Sequence, residues 1–106
     1  MSLTAAPYVL TLEGDVDLHV SPELAASLQD VIASRPVRLV VDMSRVTYID
    51  SSGLAVLIRA VNDVEAYGGT VMIAGAQQAV NTIIEASGLS RFFLAFPHVD
   101  AALAAS

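Results

Sequence analysis

Apolar positions fall along this chain in two rhythms, one of period two and one near three and a half. In residues 8–13, Val9-Leu10-Thr11-Leu12 alternates weakly and stops at Gly14, which predicts a first strand. Leu24, Leu28, Val31 and Ile32 then recur at helical spacing. Ser21 stands ahead of them as N-cap, with Pro22 at the first helical position and Glu23 in the first turn, and Arg35-Pro36 ends the helix. The uninterrupted Leu39-Val40-Val41 run predicts a strand over 37–43 that is buried on both faces. In residues 44–50 the rhythm is lost, so they read as a connecting loop with Val46 and Ile49 tucked inward.

The longest amphipathic pattern follows, with Leu54, Leu57, Ile58, Val61 and Val64 on one stripe as far as Tyr67, where Gly68-Gly69 closes the helix. A strand over 70–74, a helix over 77–87 with Val80, Ile83 and Ile84 inward, a short strand over 92–96 and an alanine-rich helix from Pro97 to about Ala105 complete the pattern. Strand and helix alternate four times. That alternation predicts an α/β fold, a single domain over 1–106 with a mainly parallel central sheet of four to five strands and about four helices. Loops that follow parallel strands emerge at one edge of the sheet, so 14–21, 44–53, 75–77 and 97–98 are expected to share one surface.

On that edge lies a polar knot, Asp50-Ser51-Ser52-Gly53, between the central strand and the longest helix. Asp50 or Ser51 can accept a hydrogen bond from the free N–H groups of the first helical turn. Those donors and the positive end of the helix dipole also suit a dianion. Gly53 costs about 1 kcal/mol against alanine in a helix interior, so close backbone packing or open access to the hydroxyls must explain it. Asp15 reads as an ordinary turn residue, whereas Asp17, close to Ser51 on the shared edge, reads either as a turn residue or as a recognition residue. Leu54, Ala55 and Val56 put apolar groups around much of the first turns, which predicts an apolar contact patch beside Ser51, with Leu54 and Val56 in it.

Composition narrows the chemistry. A net charge of −6 with five arginines and no lysine argues against a nucleic-acid surface, and it removes the P-loop lysine, a Schiff base and the lysine partner of a receiver-type phospho-Asp42. With no cysteine there is neither a disulfide nor a thiolate metal site, and no cofactor is expected. No apolar run reaches the ~20 residues of a membrane span, so a cytoplasmic protein without direct membrane insertion is expected. Met1-Ser2-Leu3 bears on none of this. A Ser-His-Asp arrangement of Ser51, His19 or His98, and Asp17 lacks the Gly-x-Ser-x-Gly elbow, so no catalytic residue is assigned and the chain is not expected to be an enzyme.

Asp50-Ser51-Ser52-Gly53-Leu54 after an apolar strand, preceded by Gly14-Asp15-Val16-Asp17 and followed by Tyr67-Gly68-Gly69 and Ser87-Gly88-Leu89, resembles the STAS domain family. These are the domains of sulfate transporters and of bacterial anti-sigma factor antagonists. Order and spacing match from about Val9 to Ala102. The resemblance implies helices gathered mostly on one face of the sheet, and a further strand before the first. Only residues 1–7 are available for that strand, which would be short or missing, leaving a sheet edge as a candidate contact for a weak homodimer.

In the antagonists the serine after the aspartate is phosphorylated by a dedicated kinase, which implies Ser51 here, with Ser52 the alternative. Asp17 matches the family's acidic residue near that serine, and with Asp50, Ser52, Gly53, Leu54 and Val56 it makes the expected partner-binding set. The implied partners are an anti-sigma factor with serine kinase activity, which holds the ATP, and a serine phosphatase that resets the switch. The unphosphorylated protein would release a sigma factor and so permit transcription. The other job that the resemblance allows is a STAS subunit of a membrane transport complex, or a scaffold, in which the serines only cap the helix.

Overall fold

Four strands build one sheet in a computed structural model that describes residues 6–105: β1 (Tyr8–Val16), β2 (Arg38–Ile49), β3 (Thr70–Ala74) and β4 (Leu94–Phe96). They lie in the order β1-β2-β3-β4, and every neighbouring pair is parallel. The helices between and after them are α1 (Ser21–Ala33), α2 (Ser51–Ala66), α3 (Gln78–Ala86) and α4 (Val99–Ala104), with a 3-10 turn at Ser90–Phe92. Residues 1–5, on which most of the expected first strand falls, lie outside the described residues. Ala6 and Pro7 precede β1 without strand pairing.

Alternate residues of the central strands face two separate cores. Leu39, Val41 and Met43 of β2 and Val71 and Ile73 of β3 join Leu24 and Leu28 of α1, Leu54, Leu57 and Val61 of α2 and Val80 and Ile84 of α3 in the larger core. Val40, Met72 and Ala74 point the other way, onto Ala102 of α4. Three helices therefore cover one face of the sheet and α4 the other. Burial on both faces is why these strands read as continuous apolar runs.

β1 and β2 are longer than the apolar rhythm predicts, and the reason is physical. Between Thr11/Glu13 and Gly14/Asp15 the pairing slips, with two residues of β1 set against three of β2 at the first slip and one against two at the second. Each bulge adds a residue to β2, so its inward positions become Met43, Val46 and Ile49, three apart instead of two. A period of three matches no strand template. Residues 44–50 are thus strand as far as Ile49 and not a connecting loop. Gly14, with φ of +73°, is a kink inside β1 and not its end.

This extension also splits the expected common edge. β3 and β4 stop beside Asp42 of β2, where Gly75 N–H donates to Phe96 O and the Gln77 side chain donates to Ser44 O. β2 runs on through the six residues from Ser44 to Ile49, whose five steps cover about 16 Å at the usual rise. Ser51 stands at the tip of the β1–β2 ribbon, while 75–77 and 97–98 lie at the lower step.

Helix starts differ slightly from expectation. The N-cap of α1 is Val20, and Ser21 is its first residue. α4 begins at Val99, capped by His98 through Ala101 N–H to Nδ1 at 3.1 Å. Phe92 belongs to the 3-10 turn, so the last strand begins at Leu94. At the other end of α4, Arg38 of β2 donates from Nη1 to Leu103 O at 3.0 Å and Ala105 O at 2.6 Å. Hydrogen bonds from a charged donor to otherwise free terminal carbonyls are stabilising, so Arg38→Ala should cost about 1.5 kcal/mol. Hydrogen exchange should then show 99–104 losing protection before the sheet does. Uniform loss across the domain would show that Arg38 does not act through α4.

Candidate functional site

At the tip of the ribbon, Asp50 closes three pieces of the fold together. Its N–H donates to Val16 O at 3.1 Å, tying the end of β1 to the start of α2. Its Oδ1 accepts from Ser52 N–H at 2.9 Å and from Gly53 N–H at 3.1 Å, the ordinary geometry of a helix N-cap. The Ser52 hydroxyl donates to the same oxygen at 2.5 Å. That bond, with the N–H groups of Gly53, Ser52 and Leu18, holds the Asp50 carboxyl below its usual value against a smaller opposing effect of desolvation.

Because folding depresses this pKa, the cap contributes in full above the ordinary carboxylate range and is lost as pH falls through the lowered folded value. An acid titration followed by amide signals of the first turn of α2 should show a midpoint below that of a free aspartate. In Asp50→Asn that step should vanish, since an amide does not titrate.

The two hydroxyls have different surroundings. Ser52 is half-buried and committed to Asp50, whereas Ser51 is exposed and its hydroxyl has no hydrogen-bond partner among the described residues. Two of the helix donors that could receive an anion are therefore already occupied by Asp50. A phosphate on Ser51 would stand beside a carboxylate and project outward.

Gly53 is buried, and the structure decides between its two explanations. A Cβ there would lie 2.7 Å from Val16 Cγ1, 2.8 Å from Val16 O and 3.0 Å from Ile49 Cγ1. Close packing of α2 on the strand ends requires the glycine. Leu54, expected at a contact surface, is only 3% exposed and belongs to the main core. A helix residue three positions before Leu57 shares its inward stripe, and inward facing removes it from the docking set. Val56 is half-buried and Ala55 exposed. They line a groove of about 220 Å³ between α1 and α2 with Ala25, Gln29 and Arg59.

Asp17 carries out a local structural role: its Oδ1 accepts from His19 N–H at 3.0 Å and Val20 N–H at 3.4 Å, ordering the turn into α1. That turn lies against the knot, through Val16 O and Leu18 N–H on Asp50. Asp15 accepts from Thr47 Oγ1 at 2.7 Å, and the neighbouring Glu13 pairs with Arg45 across the ribbon at 3.1 Å. His98 serves α4 at the lower step, and among the described residues no imidazole is hydrogen-bonded to Ser51.

Two apolar side chains stand at this tip that periodicity passes over. Leu18 is 73% exposed in the turn after β1, and Tyr48 is 46% exposed two residues before Asp50. The available signal was a leucine between Asp17 and His19, an apolar residue in a polar turn with no element to bury it. Tyr48 could not be placed without the bulges that turn Ile49 inward.

Among the described residues no helix is long and apolar enough to cross a membrane. Comparison with known proteins gives relatives of two kinds. The anti-sigma-F factor antagonist RsfB of Mycobacterium tuberculosis is 37% identical over 49 residues, 46% of this chain and 40% of RsfB. YvdB of Bacillus subtilis, provisionally named a sulfate transporter, is 30% identical over 78 residues, 74% of this chain but 15% of YvdB. The chain thus spans less than half the length of either. In three dimensions it superposes on an anti-sigma factor antagonist from Mycobacterium paratuberculosis with a TM-score of 0.81 and 28% identity, over 90% of this chain and 80% of that one. Residues 3–102 match the STAS domain, and the chain belongs to that family.

Proposed function

We propose that this domain is an anti-sigma factor antagonist, a non-enzymatic cytoplasmic binding module that docks on an anti-sigma factor with serine kinase activity. Phosphorylation at Ser51 breaks the complex and a serine phosphatase restores it. The observation that carries the reading is the exposed Ser51 hydroxyl, free of hydrogen bonds among the described residues, at the start of α2 on a tip that also leaves Leu18 and Tyr48 exposed. Exposed apolar side chains around a modifiable group suit a protein contact that a charge can abolish. Asp15, Asp17 and Asp50 give that contact a negative rim, so the partner surface should be basic.

Phosphorylation by a partner kinase with ATP, followed by peptide mapping, tests the assignment. One phosphate at Ser51 is expected, absent in Ser51→Ala; full labelling of Ser51→Ala at Ser52 would defeat it. The domain alone should neither bind nor hydrolyse ATP or GTP, since it has no lysine and no glycine-rich phosphate loop. Micromolar nucleotide affinity by calorimetry would contradict a partner-held ATP.

Similarity to YvdB favours a second reading, a STAS subunit serving a membrane transport protein, with the serines only capping α2. Co-purification with a permease, from cells in which Ser51 is never modified, would select it.

A further inference from the structure

We propose that Asp50 directs phosphoryl transfer to Ser51 and away from Ser52 by holding the Ser52 hydroxyl as a hydrogen-bond donor, an inference that rests on the phosphorylation reading above. The two serines are adjacent and chemically alike, so something in the fold must choose between them. Asp50 Oδ1 grips Ser52 at two points, Oγ–H at 2.5 Å and N–H at 2.9 Å, which fixes the direction of the side chain. Ser51, one residue earlier, is exposed and unengaged.

In the transfer, the bond between the γ-phosphorus of ATP and its β–γ bridging oxygen breaks and ADP leaves. A new P–O bond forms to the serine Oγ, and the hydroxyl proton passes to a base on the kinase. At Ser51 nothing in the domain obstructs any of these events. At Ser52 the proton already points at Asp50, so reaching a phosphorus means breaking the clamp. The product dianion would then sit about one hydrogen-bond length from a carboxylate, a like-charge contact at close range. Asp50 is not a substitute base for Ser52, because the donors that cap α2 hold it as the charged, weakly basic form. Asp50 is therefore a positioning residue; it touches neither the nucleotide nor the reacting oxygen.

A kinase-independent test uses the absence of lysine. Sulfo-N-hydroxysuccinimidyl acetate acylates amines first and hydroxyls more slowly, and without lysine the N-terminal amine is its only amine target. Mass mapping of the peptide between Arg45 and Arg59 then compares the two serines. Loss of one hydrogen bond from the reacting hydroxyl corresponds to roughly tenfold in rate, so wild type should react at Ser51 at least about that much faster than at Ser52. Asp50→Gly, which keeps most of the cap energy while removing the carboxylate, should bring the two serines to similar rates. Asp50→Asn, whose amide oxygen still accepts from Ser52, should keep the Ser51 preference.

The same three proteins are then offered to a partner kinase with ATP. Phosphate on both serines in Asp50→Gly, and on Ser51 alone in wild type and Asp50→Asn, supports the proposal. Equal acylation in wild type, or Asp50→Gly that still favours Ser51 in either assay, overturns it. Kinase that labels neither serine of wild type, with the acylation pattern as expected, defeats the proposed function and leaves the Asp50 clamp standing.

Discussion

Phosphorylated at Ser51, the protein should bind its anti-sigma factor roughly 30-fold to several thousand-fold more weakly than the unmodified form. The modification adds about −1.5 to −2 charges and three acceptor oxygens. They arrive where the helix N-terminus is already occupied, since Asp50 takes the N–H groups of Ser52 and Gly53. The dianion then stands on a tip that also exposes Leu18 and Tyr48, beside a carboxylate that stays charged. A docked partner would have to desolvate it against apolar side chains. An uncompensated charge in an interface costs about 2–5 kcal/mol, which converts to the stated range at about 1.4 kcal/mol per tenfold.

Ser51→Asp should reproduce part of the loss, and Ser51→Ala should bind and remain bound. Leu18→Ala and Tyr48→Ala should each weaken binding in the unmodified state, by about tenfold or more if they are the buried anchors of the contact. Nothing in the fold needs to rearrange, because Ser51 donates to no group that phosphorylation would free. Amide shifts should stay within 15–20 and 48–56. Shifts spread through β3 and β4, or undiminished binding of the phosphorylated form, would refute a local electrostatic gate.

Replacing Gly53 with alanine should cost about 2–3 kcal/mol, near the upper end for overpacking. The added Cβ meets Val16 O at 2.8 Å, a backbone atom that also accepts from Asp50 N–H and cannot rotate away. Relief requires α2 to move off the ends of β1 and β2, which stretches the Val16–Asp50 bond and displaces Ser51. Gly14→Ala is the control. At Gly14 the strain is only in φ, with nothing within 4 Å of a Cβ, and the expected cost is about 1–2 kcal/mol. Urea unfolding of both variants should rank Gly53→Ala as the larger loss. The reverse order would mean that α2 yields freely at its first turn and that close packing does not account for the glycine.

Much of this protein is written in local pattern. Continuous apolar runs in β2 and β3 report burial on two faces, and helical stripes such as Leu24-Leu28-Val31 and Leu54-Leu57-Val61 report one buried face, so the element order and the parallel sheet follow directly. The knot at Asp50 is legible for the same reason, since an N-cap acts through hydrogen bonds to residues two and three positions on.

What depends on partners far along the chain is not written that way. The bulges in β2 exist only in register with β1, and they change the inward period from two to three, hiding the strand between Ser44 and Ile49. Their length carries Ser51 away from 75–77 and 97–98, so a shared edge inferred from topology alone places too much on one surface. Gly53 reads as an anomaly until Val16 is seen against it. Leu54, on the helical stripe yet also expected in a contact patch, is turned by the helix into the core, while a turn with no covering element leaves Leu18 in solvent. Local chemistry determined the elements and the capped serine pair, because those interactions span two to four residues. Tertiary packing decided which side chains meet water and how far the site projects, because burial and register are set by residues thirty or more positions away.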